Sequence, residues 1–292
     1  MTILITGASS GFGASLLSHL SSLGHTVIGT SRHPAADSPL LKLDVRDPEN
    51  CRQIVSEVIL KYGRIDVLIN NAGAYVCAEI EKTTDEDMEK LIKLNLEAPY
   101  RLCRLVIPDM KKQTFGRIIN IGSVSGVVGE AYATLYSMTK SSFIGFSKAL
   151  ALEVAQHGIT VNTIHPGWVD TSLIKGENMT FEEEELMQTI PQRRFVEPKE
   201  VAHLVKYLIS EENLLYFFNE IRMVLNDYST SISVKKGKAV SNEDLLSDIQ
   251  KYLAAEMLQV VVKGGYRIEY GELANNIKKK YGDKFVWLIG NH

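Results

Sequence analysis

Three residues carry the chemistry worth asking about: Ser123, Tyr136 and Lys140. Tyr136 and Lys140 are four apart, which on a helix puts them on one face, one turn from each other. Free tyrosine titrates near pH ~10. An ammonium at ~4 Å, in an effective dielectric of about 20, favours the phenolate by roughly 4 kcal/mol, or ~3 pH units before desolvation is subtracted. Such a tyrosine can give or take a proton near neutrality. A Y-x-x-x-K spacing is common in proteins, so its weight rests on the elements that would position it.

Those elements start at the N-terminus. Ile3-Leu4-Ile5 reads as a buried parallel strand and ends in Thr6-Gly7-Ala8-Ser9-Ser10-Gly11-Phe12-Gly13. A helix with Leu16, Leu17, Leu20 and Leu23 follows and stops at Gly24. Strand, glycine turn and helix form the context of a dinucleotide site. Glycines allow the tight turn and a close backbone approach, and the helix N-terminus offers unpaired N–H groups to a pyrophosphate.

The second strand, 25–30, ends in Ser31-Arg32-His33. A carboxylate at this tip would bond a free ribose 2′-hydroxyl and repel a 2′-phosphate. None lies between Val27 and Arg32. Arg32 can pair with a phosphate and Ser31 can donate to it, so NADP(H) is favoured and NAD(H) is the second choice. The other reading of Arg32 is an ordinary solvated loop cation.

A third strand over 41–45 carries Asp44 at its exit, where it either caps the next helix, 48–62, or faces an adenine. The fourth strand, 65–69, leads into Asn70-Asn71-Ala72-Gly73, whose small residues let a cofactor lie against backbone. Helices are expected over 85–95 and 99–112. Asn95 sits on an apolar face with Leu91, Leu94 and Leu96. A buried asparagine needs partners, and two readings fit: a structural bond to backbone, or a place in a proton relay.

The fifth strand, 117–121, exits into Gly122-Ser123-Val124-Ser125-Gly126, which places Ser123 at the carboxyl ends of the strands, where open parallel sheets bind ligands. The helix of Tyr136 and Lys140 runs to about 157, and a sixth strand, 159–164, ends in His165-Pro166-Gly167-Trp168-Val169-Asp170-Thr171. The segment 172–196 reads as irregular, with an acidic run, Glu182–Glu185, better suited to a solvated face than to recognition. A helix over 198–210 and a last strand over 220–225 complete the pattern. Tyr75, Val127, Tyr132 and Trp168 are the expected pocket walls.

With these pieces in order, residues 1–227 resemble the single-domain branch of the short-chain dehydrogenase/reductase family. The resemblance rests on T-G-x-x-x-G-x-G at 6–13, Asp44, N-N-A-G at 70–73, Asn95, Ser123, Y-x-x-x-K at 136–140 and P-G-x-V-x-T at 166–171. It implies an α/β fold: a doubly wound (Rossmann) parallel sheet of seven strands with helices on both faces. It implies an enzyme that interconverts a ketone and a secondary alcohol with NADP(H). Tyr136 would be the general acid in reduction and the base in oxidation. Lys140 would lower its pKa and hold the nicotinamide ribose, Ser123 would bond the substrate oxygen, and Asn95 would hold a relay water. Thr6, Gly7, Ser9, Ser10, Gly11, Phe12 and Gly13 would cradle the pyrophosphate. Ser31 and Arg32 would meet the ribose, and Asp44 and Val45 the adenine. Asn70, Asn71, Ala72 and Gly73 would line the cofactor. Pro166, Gly167, Val169 and Thr171 would face the nicotinamide. A homodimer or homotetramer, built on helices near 98–112 and 136–157, is a further implication. Gly122 stands where relatives often carry a second serine and reads as a loosened strand exit.

Beyond 227 the resemblance ends. Residues 228–241 read as a Ser/Thr/Lys-rich linker and 242–292 as a helical appendage. Residues 228–292 have a net charge of +3, against -6 for the rest. Tyr266–Ala274 looks faintly like the opening of a winged-helix module, but nucleic acid is not the expected partner. The alternatives are a helix pair that packs on the enzyme, or a module completed by a partner subunit.

The totals set outer limits. The chain has 292 residues, 45% of them hydrophobic, a formal charge of -3 and three cysteines without C-x-x-C spacing. Such a chain can bury a sizeable core and has no bulk affinity for nucleic acid or anionic membrane. Odd, scattered cysteines fit reduced thiols in the cytoplasm. No metal site is expected. The initiator runs straight into a strand, which leaves no room for a targeting segment, and no apolar run reaches ~18 residues. Two rival functions remain at this stage: a cofactor-sensing regulatory protein on the same fold, and a reductase coupled through its tail to a partner or nucleic acid.

Overall fold

A strand buried along its whole length needs cover on both faces, and four strands of this chain meet that description. The computed structural model describes residues 1–171, 186–188, 190 and 192–210, and the backbone of 220–223. It assembles them into a seven-stranded sheet in which every pairing is parallel. The strands are β1 (Thr2–Ile5), β2 (Thr26–Ser31), β3 (Leu41–Lys42), β4 (Val67–Asn70), β5 (Gly116–Ile121), β6 (Ile159–Pro166) and β7 (Glu220–Met223). Their order is β3-β2-β1-β4-β5-β6-β7. The order reverses direction between β1 and β4, so the carboxyl ends of these strands open a crevice at that switch point.

Helices cover both faces. They are α1 (Gly11–Ser22), α2 (Pro48–Tyr62), α3 (Asp85–Leu91), α4 (Ala98–Lys112), α5 (Ser125–Val128), α6 (Thr134–Val154) and α7 (Pro198–Ile209). One core layer joins Leu4, Leu68 and Ile118 of the sheet to α2, α4 and α6. The other joins Ile3, Ile5, Val67 and Ile119 to α1 and α7. Ile3, Leu4 and Ile5 are fully buried, and each contributes about 1.5–3 kcal/mol relative to exposure. All the described residues fall in the first of two units into which the chain divides, Met1–Ile232. The linker 228–241 and the appendage 242–292 lie outside the described residues, as does most of the acidic segment after Thr171.

Three local details differ from the sequence reading. β3 ends at Lys42 rather than Val45, because Asp44 turns to accept from the backbone and guanidinium of Arg46. Asp44 therefore does not cap α2; Asp47 does, accepting from the N–H groups of Glu49 and Asn50. The two helices expected over 85–95 and 99–112 are continuous. Wide π turns over Ile92–Glu97 join them, with Ala98 N–H bonded to Lys93 O, five residues back. Pro99 has no N–H to offer Asn95 O, and the widened turns absorb that missing bond.

Candidate active site

The glycine turn is built by close contact. Gly7 and Gly11 hold φ of +67° and +54°. A Cβ at Gly13 would stand 2.2 Å from Gly7 O, so only glycine lets α1 start this near β1. Ser10 is the extended N-cap residue and makes no side-chain cap bond, while Ser9 is exposed beside it. Thr6 and Asn71 fasten the turn to the β4 exit. Thr6 Oγ1 accepts from Asn71 N and Ala72 N at 3.0 Å each. Asn71 Nδ2 donates to Thr6 O and Gly7 O at 2.9 Å each. Across the crevice Thr171 faces Gly11, its Cβ 3.5 Å from where a Gly11 Cβ would be. This is a cradle shaped for an extended ligand lying on backbone, and the residues present fit a dinucleotide.

At the tip of β2, Arg32 is exposed and donates from Nε to His33 Nε2 at 3.0 Å. Ser31 is buried, and its hydroxyl oxygen accepts from His33 N. Asp44 carries its carboxylate near this tip, but Arg46 holds it, and with Arg32 keeps its pKa below the usual range. Val45 is buried and offers its carbonyl to Cys51 and Arg101.

The chemical end of the crevice is a cavity of about 180 Å³. Ser123, Tyr136 and Lys140 line it with Asn71, Gly73 and Phe12, and the end of β6 and the loop after it close it through Pro166, Gly167, Trp168, Val169 and Thr171. Tyr75 and Trp168 form walls as expected, but Val127 and Tyr132 do not; Tyr132 is exposed, at φ +64°. Lys140 is 5% exposed and donates from Nζ to Ile121 O at 2.7 Å. Burial lowers its pKa to about 8. The Tyr136 ring meets Tyr75 edge-on at 4.9 Å. Burial pushes its phenol up to about 12; a hydrogen bond with Ser123 opposes this and the charge of Glu130 adds to it. The downward shift expected from Lys140 is not what these surroundings produce. The ammonium lies 5.7 Å from the ring centroid and is committed to Ile121 O, so desolvation of the phenol outweighs its attraction.

Asn95 has the structural bonds of the first of its two readings. Its Oδ1 accepts from Ala74 N at 2.9 Å, and its Nδ2 donates to Ala74 O and Thr139 Oγ1. The π turns aim it there, and both Asn95 Oδ1 and Lys140 Nζ flank Gly73 within 3.5 Å of a notional Cβ. Asn70 bonds Asn120, which bonds Ser147, so it braces the sheet rather than the crevice. Gly122 is not a loosened exit: the His165 ring fills the space, and a Cβ would stand 2.6 Å from its Nδ1.

Two polar residues of the cavity, Ser125 and Glu130, carry no role in the sequence reading. Glu130 accepts from Tyr75 Oη at 2.7 Å and from Ser125 Oγ at 2.5 Å, and Ser123 Oγ donates to Ser125 Oγ at 3.0 Å. The available signal was the single carboxylate between Ser123 and Tyr136.

The sequence model of the short chain dehydrogenase family matches residues 1–181. The chain is 38% identical to the 3-oxoacyl-(acyl-carrier-protein) reductase FabG of Buchnera aphidicola over 221 residues, covering 72% of this chain and 90% of the relative. It is 41% identical to the 3-ketodihydrosphingosine reductase of Bacteroides thetaiotaomicron over 181 residues, 61% of this chain and 67% of that one. The solved structure of ElxO with NADP bound superposes with a TM-score of 0.69 at 29% identity, covering 76% of this chain and 96% of its own. A matching family model over more than half the chain, on a parallel sheet of this order, leaves one conclusion: the chain is an oxidoreductase of the short-chain dehydrogenase family.

Proposed function

We propose that the chain interconverts a ketone and a secondary alcohol with NADP(H), using Tyr136 as general acid in reduction and general base in oxidation. The observation that carries this reading is the convergence of Ser123, Tyr136 and Lys140 on one cavity at the mouth of the glycine cradle. When bound, the reduced nicotinamide supplies the hydride that the carbonyl carbon accepts. The chain's own part is to hold the oxygen and move the proton. Ser123 Oγ and Tyr136 Oη are neighbours, and a carbonyl oxygen between them receives two hydrogen bonds where negative charge grows. Tyr136 then gives up its proton, and the high pKa of its phenol keeps that proton in place until the oxygen demands it. Lys140, at about 8, is a cation at neutral pH that stabilises the phenolate left behind. The edge of Tyr75 keeps the Tyr136 ring from turning out of line.

NADP(H) is favoured by charge at the β2 tip. Arg32 is exposed there, and the nearby carboxylate of Asp44 is already held by Arg46, which leaves the tip receptive to a 2′-phosphate. The NADP-bound relative supports the same choice. The test is a ketone and alcohol panel with NADPH and NADH, on wild type, Tyr136→Phe and Arg32→Asp. Turnover with a preference for NADPH is expected. Tyr136→Phe is expected to lose about 10²–10⁴-fold in kcat. No turnover of any carbonyl or alcohol with either cofactor would overturn the reading. Equal use of NADH by wild type would overturn the cofactor choice alone.

A further inference from the structure

Glu130 is a carboxylate inside the substrate cavity that the proton and hydride chemistry does not use. After β5 the chain turns through α5 and reaches Gly129 at φ +79°, which sends Glu130 back toward Ser123. Its oxygens accept from Tyr75 Oη and Ser125 Oγ, and Ser125 in turn accepts from Ser123. The carboxylate is therefore two hydrogen bonds from Ser123 and in contact with the tyrosine that packs on Tyr136.

Its charge has no counter-ion among the described residues. Among the described residues Lys140 is the one cation lining the cavity, and it is turned to Ile121 O. Two hydroxyl donors occupy two of the roughly four lone-pair positions a carboxylate offers, and neither neutralises it. A half-buried carboxylate left unpaired is costly, and a cation entering the cavity recovers that cost. An anionic group there meets like charge, and an apolar one leaves the carboxylate unanswered.

We infer that Glu130 selects substrates bearing an ammonium on the carbon next to the carbonyl: α-amino ketones, and 1,2-amino alcohols in the reverse direction. The position follows from reach. An amine on the adjacent carbon stands about 3 Å from the carbonyl oxygen, and the hydrogen bonds that lead from Ser123 through Ser125 to Glu130 are 3.0 and 2.5 Å long. The C–N bond is untouched; the carbonyl carbon gains the hydride of the reduced nicotinamide and its oxygen gains the proton of Tyr136. The inference rests on the ketone–alcohol reading above.

The experiment uses α-aminoacetophenone and propiophenone, which differ by an ammonium in place of a methyl, near pH ~6.5, where the ammonium persists. The ratio of kcat/KM, amine over methyl, is measured for wild type, Glu130→Gln and Ser125→Ala. The ratio is expected to be about 10- to 100-fold in wild type. It falls toward one in Glu130→Gln, chiefly through KM, and stays high in Ser125→Ala, which keeps the charge. A ratio near one in wild type, or one unchanged by Glu130→Gln, overturns the inference and leaves the oxidoreductase reading standing. If neither ketone is reduced, that reading fails on this pair, and thermal shifts decide the inference separately. A larger Tm shift from the amino alcohol than from its methyl isostere, lost in Glu130→Gln, sustains it. Equal shifts overturn it.

Discussion

Lys140 and Gly122 show what single positions contribute. Burial lowers the Lys140 pKa from an ordinary 10.5 to about 8. Between those values the unfolded chain binds the proton and the folded chain does not, so stability from this group rises with pH from about 8 to about 10.5. Below about 8 the folded protein carries the full cost of a buried ammonium. Tyr136 acts oppositely at higher pH: its folded pKa of about 12 makes stability fall as pH rises from about 10 to about 12. Urea unfolding without added cofactor is expected to show a wild-type minus Lys140→Met difference that grows by a few kcal/mol across the first window. A flat difference would mean the ammonium is better solvated than its burial implies. Gly122 and His165 make a second test. Gly122→Ser is expected to cost about 1–3 kcal/mol by overpacking the His165 ring. Adding His165→Ala should relieve part of that cost, a non-additivity that a double-mutant cycle reads directly.

Among the elements, the π turns over Ile92–Glu97 do the most positioning. They connect α3 to α4 and turn Asn95 onto Ala74 and Thr139. Asn95→Ala leaves the Ala74 N–H and C=O without their partner, a loss of about 1–3 kcal/mol by urea midpoint. Asn95→Asp keeps the acceptor but not the donor and should recover only part of it. An Asn95→Ala protein as stable as wild type would remove the structural role and leave only the relay. This element also marks where the sequence stopped being legible. The β1 turn, α2 and α6 were readable because hydrophobic period, Pro48 and the glycine run all point one way locally, although the cap of α2 is Asp47 and not Asp44. The helices 85–95 and 99–112 read as separate because the widened turns that join them across Pro99 depend on Asn95 finding partners on other segments. Tyr136 and Lys140 were singled out by spacing, Ser123 by its strand exit and Asn95 by its apolar face, whereas Glu130 was not singled out. Nothing next to Glu130 in sequence indicates that Tyr75, 55 residues away, will donate to it.

For the whole molecule, the sheet order brings the ends of β1, β4, β5 and β6 to one crevice, so segments far apart in sequence share one site. On α4 and α6, the large apolar side chains of Tyr100, Met138 and Leu152 are exposed. Exposed apolar side chains on these helices support the homo-oligomer proposed for helices near 98–112 and 136–157. Sedimentation at micromolar concentration should give a dimer or tetramer, and a monomer would contradict it. No helix among the described residues is long and apolar enough to cross a membrane. The division into a catalytic part, 1–227, a linker, 228–241, and an appendage, 242–292, is likewise a proposal. A chain ending at 227 that keeps NADPH binding and assembly would assign both to the first part. The most direct measurement of the central claim is the loss of NADPH absorbance with a ketone panel, wild type against Tyr136→Phe. The account predicts turnover by wild type and a fall of about 10²–10⁴-fold in kcat in the variant, with NADPH affinity retained. Equal turnover by the two proteins would show that Tyr136 is not the proton donor.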